Sequence, residues 1–139
     1  MAPSDSPALL LPYNEEGITM WILKVEDQFH AAHRLNDYEG KCANLHGHTW
    51  KIIVHIEAYE LEANGISIDF GIVKQILKEV LPDHADLNAF YDFNPTAENI
   101  SRDIYKRLRD KLPLDSKDGY RVVAVELYET NKNRVIYKP

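Results

Sequence analysis

Residues 46–59 read HGHTWKIIVHIEAY, an alternation of apolar and polar side chains. Successive side chains of a β-strand point to opposite faces, so this pattern predicts a strand that is buried on one side. The even-numbered residues form the predicted core face: His46, His48, Trp50, Ile52, Val54 and Ile56. His55 falls on the opposite, polar face together with Lys51 and Glu57.

Residues 19–33 alternate in the same way and predict a neighbouring strand. One parity carries the apolar residues Trp21, Leu23, Val25, Phe29 and Ala31. Asp27 interrupts this face, which suggests a bulge or a partner for its carboxylate. The loop at 36–45 is rich in turn-forming residues and joins the two strands.

Beyond the turn signal at Asn64 and Gly65, the spacing changes to that of helices. The first apolar stripe consists of Ile72, Val73, Ile76, Leu77 and Val80, and it stops before Pro82. The second consists of Ala97, Ile100, Ile104 and Leu108, with Asn94 or Thr96 as its N-cap.

Two further strands are predicted at residues 120–129 and 135–137. Val123, Val125, Leu127 and Glu129 share one face of the first of these strands. The element order is therefore ββααββ, which predicts an α+β fold: a four-stranded antiparallel sheet with two helices on one face. Four strands leave two open edges, which oligomerisation could cover.

Composition narrows the function classes. The 139 residues are 45% hydrophobic with a formal net charge of −6, and no cluster of basic residues suggests a nucleic-acid partner. A single cysteine and the absence of a long apolar run predict a soluble, cytoplasmic protein without a membrane partner. We interpret residues 1–17 as a loosely ordered N-terminal extension and residues 18–139 as one domain.

Three of the six histidines share the core face of adjacent strands. His33 has the parity of Phe29, whereas His46 and His48 have that of Trp50, so antiparallel pairing would bring the three imidazoles together. The strand alternation places His30 and His55 on the polar face, as ordinary surface histidines. Three imidazoles with an open position suit catalytic zinc, although iron or copper would also be compatible.

Other candidate residues lie near these ligands in the sequence. Cys42 is four residues before His46 and is either a buried apolar residue or a thiolate base. Asp83 beside His84 is a common acid–base combination, though sequence neighbours need not be in contact. Glu129 ends a core-facing strand and is either a ligand acceptor or part of an ion pair.

Six segments in order resemble the 6-pyruvoyltetrahydropterin synthase and 6-carboxytetrahydropterin synthase family: FHAAHRL (29–35), KCANLHGH (41–48), IDF (68–70), DHADLN (83–88), NPTAEN (94–99) and YET (128–130). The resemblance implies a tunnelling fold that forms a barrel as a homotrimer or homohexamer. It also implies active sites at the subunit interfaces, and a zinc-dependent carbon–oxygen or carbon–carbon lyase acting on 7,8-dihydroneopterin triphosphate.

The resemblance also implies a role for each matching residue. His33, His46 and His48 match the zinc ligands, and Cys42 matches the proton acceptor. Asp83 and His84 match a relay that activates the cysteine, in the site of a neighbouring chain if the interface is shared. Glu129 matches the acid that holds the pterin ring, and Thr96 lies near that ring.

Two features of the sequence indicate which branch of the family the chain resembles. Three residues separate Cys42 from His46, which resembles the queuosine branch, whose product is 6-carboxy-5,6,7,8-tetrahydropterin. The ending ETNKNRVIYKP resembles the tetrahydrobiopterin branch, which makes 6-pyruvoyltetrahydropterin. We favour the queuosine branch because the cysteine spacing lies at the chemistry. A pterin-binding protein without catalysis is the remaining alternative.

Overall fold

The computed structural model describes residues 13–14, 17–18, 20–112 and 119–139. Its elements in chain order are β1 (Tyr13–Asn14), β2 (Gly17–Ile18), β3 (Trp21–His33), a 3-10 turn (Lys41–Ala43), β4 (His46–Ala58), α1 (Phe70–Val80), β5 (Ala85–Asp86), α2 (Leu87–Phe90), α3 (Ala97–Lys111), β6 (Tyr120–Tyr128) and β7 (Arg134–Tyr137). Most of the predicted extension at residues 1–17 lies outside the described residues, so its boundary stays a prediction.

The main sheet has five strands, in the order β5-β3-β4-β6-β7. This confirms the α+β class and corrects the predicted four-stranded antiparallel sheet, because β5 adds a short parallel strand beside Ala31 and Ala32. Two residues are too few to show an alternating pattern, which is why the sequence did not reveal this strand. The four-residue helix α2 was missed for the same reason.

β3 and β4 are antiparallel partners along their whole length, from the pair Trp21 and Ala58 to the pair His33 and His46. This register places the ends of both strands that carry histidines at one end of the sheet. The central strand β4 is flanked on its other side by β6.

Both long helices pack on the predicted core face of the sheet. The buried residues of α1 and α3 belong to one core cluster with the buried residues of β4: Val73, Leu77, Val80, Ile100, Ile104 and Leu108 from the helices, and Trp50, Ile52, Val54 and Ile56 from the strand. Each fully buried aliphatic side chain of this kind contributes roughly 1.5–3 kcal/mol relative to an exposed one. Thr96, not Asn94, caps α3: its hydroxyl accepts a hydrogen bond from Asn99 N at 3.1 Å.

A bulge in β6 corrects one predicted face. Ala124 is opposite His55 and Val122 is opposite Ile56, which leaves Val123 without a partner in β4. Val122 is therefore buried and Val123 only half-buried, contrary to the prediction. The extra residue at the bulge changes which residues face the core before Val123, compared with strict alternation. The residues after the bulge keep the predicted alternation, so Val125 and Leu127 face the core as predicted.

The opposite face of the sheet, which we call the open face, carries polar pairs. His55 Nε2 lies 2.9 Å from Glu126 Oε1, and Arg134 Nε lies 3.2 Å from Glu126 Oε2. His30 is exposed there as predicted, whereas His55 is half-buried by its pairing with Glu126. Within the described residues, no helix is long and apolar enough to cross a membrane.

Candidate metal centre

The ends of β3 and β4 bring together the three histidines that strand parity selects. One nitrogen from each of His33, His46 and His48 lies within 4.8 Å of the other two, which is close enough to hold one metal ion. The ring centroids are 4.6–5.3 Å apart. The predicted cluster is therefore present, and its metal-binding role stays a prediction.

Backbone carbonyls orient two of these imidazoles. His33 Nδ1 lies 2.7 Å from Pro95 O, and His46 Nδ1 lies 2.7 Å from Asn44 O. A carbonyl only accepts, so both Nδ1 atoms carry the proton and each Nε2 keeps its lone pair for a metal. The sequence did not predict these partners because a main-chain acceptor has no side-chain signature.

Two of the remaining nitrogens are buried without a hydrogen bond. His33 Nε2 and His48 Nε2 are inaccessible to solvent and have no hydrogen-bond partner within the described residues. Leaving such a group unsatisfied typically costs about 1–3 kcal/mol, and a bound metal ion would remove that cost. The hydrogen bonding of these residues therefore fits a bound metal ion.

The surroundings favour neutral imidazoles, the form that binds metals. Burial lowers the pKa of His33, against the opposing effects of the Pro95 carbonyl and the Glu129 carboxylate. Burial likewise lowers the pKa of His48, and Glu129 again opposes the shift. At neutral pH both rings are thus neutral.

Glu129 follows β6 and faces the same cluster. Its carboxylate oxygens lie 3.7 Å from His33 Nε2 and 3.8 Å from His48 Nε2, beyond hydrogen-bond distance. Its backbone N–H donates to Asn133 O in the turn before β7. The carboxylate therefore lies beside the cluster, partly exposed, where a bound molecule could reach it.

Cys42 lies in the 3-10 turn between β3 and β4 and is half-buried. Its carbonyl accepts a hydrogen bond from Leu35 N at 2.7 Å, only two residues beyond His33. This bond ties the cysteine turn to the end of β3 that carries the metal cluster. The role of the thiol stays a prediction.

Asp83 and His84 are not part of the cluster in the same chain. Asp83 Oδ1 accepts from His30 N at 2.8 Å, and the His84 ring centroid is 5.7 Å from that of His30, on the open face. The hydrogen bond from His30 N is the main cause of a lowered pKa at Asp83. His84 has a φ of 55° and an exposed imidazole, held 3.0 Å from Asp83 Oδ2.

This chain is similar in sequence and in fold to known tetrahydropterin synthases. A relative from Haemophilus influenzae, 6-carboxy-5,6,7,8-tetrahydropterin synthase, is 32% identical over 138 residues, covering 80% of this chain and 94% of its own. The 6-pyruvoyl tetrahydrobiopterin synthase of Pongo abelii is 32% identical over 129 residues, covering 79% and 86%. The solved 6-pyruvoyl tetrahydropterin synthase of Caenorhabditis elegans superposes with a TM-score of 0.75 at 26% identity, covering 87% of this chain and 96% of that one.

The family model described as 6-pyruvoyl tetrahydropterin synthase matches residues 22–139, which include the main sheet except Trp21, together with α1, α2 and α3. The match thus covers both strands that carry the histidine cluster. This chain belongs to the 6-pyruvoyl tetrahydropterin synthase family.

Proposed function

We propose that the chain is a zinc-dependent 6-carboxy-5,6,7,8-tetrahydropterin synthase of queuosine biosynthesis. It converts 7,8-dihydroneopterin triphosphate and one water molecule to 6-carboxytetrahydropterin, acetaldehyde and triphosphate. The observation that carries the proposal is the cluster of His33, His46 and His48, in which the Nε2 atoms of His33 and His48 are buried and unpaired. Relatives named for this activity, including the one from Haemophilus influenzae, support the choice of reaction.

Zinc is the metal we propose because three neutral imidazoles leave a fourth tetrahedral position for substrate. When bound, zinc supplies Lewis acidity at the substrate's side-chain hydroxyls and acidifies the neighbouring C–H bonds. The aromatic residues Phe29 and Trp50 are fully buried, and the Trp50 ring contacts the rings of His33 and His48, so they exclude water from this side of the cluster.

The proton chemistry is assigned to side chains of the protein. The Cys42 thiolate accepts a proton from substrate carbon, and Asp83 holds the imidazole of His84 so that it can exchange protons with the thiol. The Glu129 carboxylate accepts hydrogen bonds from the pterin ring, and Thr96 lies near that ring.

The positions of Asp83 and His84 bear on how the chains assemble. Because Asp83 and His84 are on the open face, away from the cluster in their own chain, we propose that they serve the site of a neighbouring chain. The active form is then a homotrimer or homohexamer in the cytoplasm. Within the described residues, no strand pairs with the outer edge of β3 between residues 21 and 29, and β7 lies at the opposite edge of the sheet, so the sheet can be extended at both edges.

A second candidate function is that of a 6-pyruvoyl tetrahydropterin synthase. The observation in its favour is the chain after Glu129, whose sequence resembles the tetrahydrobiopterin branch, together with equal identity to the relative from Pongo abelii. Binding of a pterin without catalysis is a weaker third candidate, because Cys42, Asp83, His84 and Glu129 are all retained.

The product decides between these candidates. Zinc-loaded protein is incubated with 7,8-dihydroneopterin triphosphate, and acetaldehyde, triphosphate and the pterin are identified by mass spectrometry, with Cys42→Ala as the control. Release of acetaldehyde with a 6-carboxy pterin is the expected result. Accumulation of 6-pyruvoyltetrahydropterin without acetaldehyde would select the second candidate, and unchanged substrate the third.

A further inference from the structure

Beyond the end of β3, the backbone of residues 34–36 forms hydrogen bonds with two asparagine side chains. Asn88 Oδ1 accepts from Arg34 N at 2.8 Å, and Asn88 Nδ2 donates to Arg34 O at 3.0 Å. Asn94 repeats the arrangement with Asn36, accepting at 2.9 Å and donating at 3.3 Å. Two side-chain amides thus take the place that a neighbouring backbone strand would have.

These bonds hold the short segment that connects the metal cluster to the cysteine turn. Residues 34–36 begin directly after His33, and between the two amide contacts Leu35 N donates to Cys42 O at 2.7 Å. A shift of the segment would therefore move the cysteine turn relative to the cluster.

Asn94 also bears on the orientation of His33. It precedes Pro95, whose carbonyl accepts from His33 Nδ1 at 2.7 Å. The Asn94 carbonyl in turn accepts from Thr96 N at 2.8 Å and from Asn99 Nδ2 at 3.0 Å, which fixes this turn to the start of α3. The same residue thus holds both the segment after His33 and the acceptor of its imidazole.

We propose that Asn88 and Asn94 are positioning residues for the metal and thiol sites. Their amides fix residues 34–36, and through them the orientation of the His33 imidazole and the position of Cys42. The inference deepens the proposed function and rests on it for the roles of His33 and Cys42.

The chemistry of the amide provides a sensitive test. An asparagine side chain has both a donor and an acceptor, whereas a near-isosteric aspartate only accepts. Asn94→Asp would keep the contact with Asn36 N and place a negative oxygen against Asn36 O. Asn64 offers a matched control, because its Oδ1 accepts only from Ile66 N, at 3.1 Å, in an exposed turn.

The experiment compares Asn94→Asp, Asn88→Asp and the control Asn64→Asp in the full-length protein. Zinc affinity is measured by competition with a chromophoric chelator, and exposure of Cys42, the only cysteine in the chain, by its alkylation rate with iodoacetamide at fixed pH. We expect Asn94→Asp to weaken zinc binding about 10–100-fold, as loss of a group that orients a ligand typically does. Asn88→Asp should weaken it less, and both should speed alkylation by roughly threefold or more through local opening.

Unchanged zinc affinity and alkylation in both variants, with only a lower melting temperature, would overturn the inference, because the amides would then stabilise the fold alone. If Asn94→Asp does not fold, Asn88→Asp decides the question by the same measurements. The absence of acetaldehyde in the product assay would count against the proposed function without altering either measurement. If the unsubstituted chain bound no zinc, the proposed function would fail, and the alkylation rates would still support or overturn the positioning of Cys42.

Discussion

The two faces of the sheet carry different halves of the predicted chemistry. The face on which α1 and α3 pack, which we call the covered face, holds the apolar core. At one end it carries His33, His46 and His48, with Glu129 beside them. The open face holds ion pairs such as Glu126 with Arg134, and at its edge Asp83 and His84.

This difference separates metal binding from proton transfer. Two adjacent strands of one chain are sufficient to form the histidine cluster, so metal binding is expected of every folded chain. The Asp83 and His84 pair contacts His30 and is not part of that cluster, so turnover is expected only where another chain supplies the pair. Substitutions on the two faces should therefore affect metal binding, turnover and stability differently.

The largest effect is expected at the covered face. His33→Ala, His46→Ala or His48→Ala should each reduce bound zinc from about one ion per chain to near none, because two imidazoles do not complete a zinc site. Mass-spectrometric metal analysis checks this, with His30→Ala and His55→Ala on the open face as controls that keep zinc. Full occupancy in folded His33→Ala would mean that another residue completes the site.

The next effect concerns turnover in mixed assemblies. Cys42→Ala and His84→Ala should each keep zinc and lose about 10²–10⁴-fold in rate, the usual contribution of an acid–base group. Co-expression of the two variants should restore about a quarter of wild-type activity, since random mixing places both intact residues at one interface in four. Mixed assemblies as inactive as either variant would indicate that both residues serve the site of one chain.

The stability of the two faces should also differ. Ile52 is fully buried on the covered face and its neighbour Ile53 is half-buried on the open face. Ile52→Ala should lower the free energy of unfolding by about 2–5 kcal/mol, and Ile53→Ala by about 1 kcal/mol or less. Urea titration checks this. Equal losses would show that a further layer covers the open face.

The smallest effect is a pH dependence at Asp83. Its lowered pKa means that the folded state favours the charged carboxylate. The contribution of Asp83 to folding stability is therefore present above the ordinary aspartate pKa, and it is lost as the pH falls through the pKa in the folded state. Asp83→Asn keeps an acceptor for His30 N but removes the charge. The difference in melting temperature from wild type should therefore be present near neutral pH and shrink below about pH 4. If the difference in melting temperature did not depend on pH, it would arise from hydrogen bonding alone and not from the charge of Asp83.

The sequence predicted the histidine cluster because alternation along a strand is strict: His33, His46 and His48 follow from the parity of Phe29 and Trp50. It missed β5 and α2, which are too short to show a period, and the bulge at Val123, which depends on the partner strand.

The groups that orient the cluster could not be predicted at all. Pro95 O and Asn44 O are main-chain acceptors, and any residue type would supply them. Asn88 and Asn94 are visible in the motif segments. Their function, however, depends on contacts with residues 54 and 58 positions earlier in the chain, which only the fold establishes.

X-ray absorption at the zinc edge of the loaded protein is the most direct test of a site formed by three imidazoles. We expect three imidazole nitrogens at about 2.0–2.1 Å from zinc, with an oxygen scatterer in the fourth position and no sulfur. A sulfur scatterer at ~2.3 Å would make Cys42 a ligand instead of a base, and the site would not be formed by three imidazoles alone.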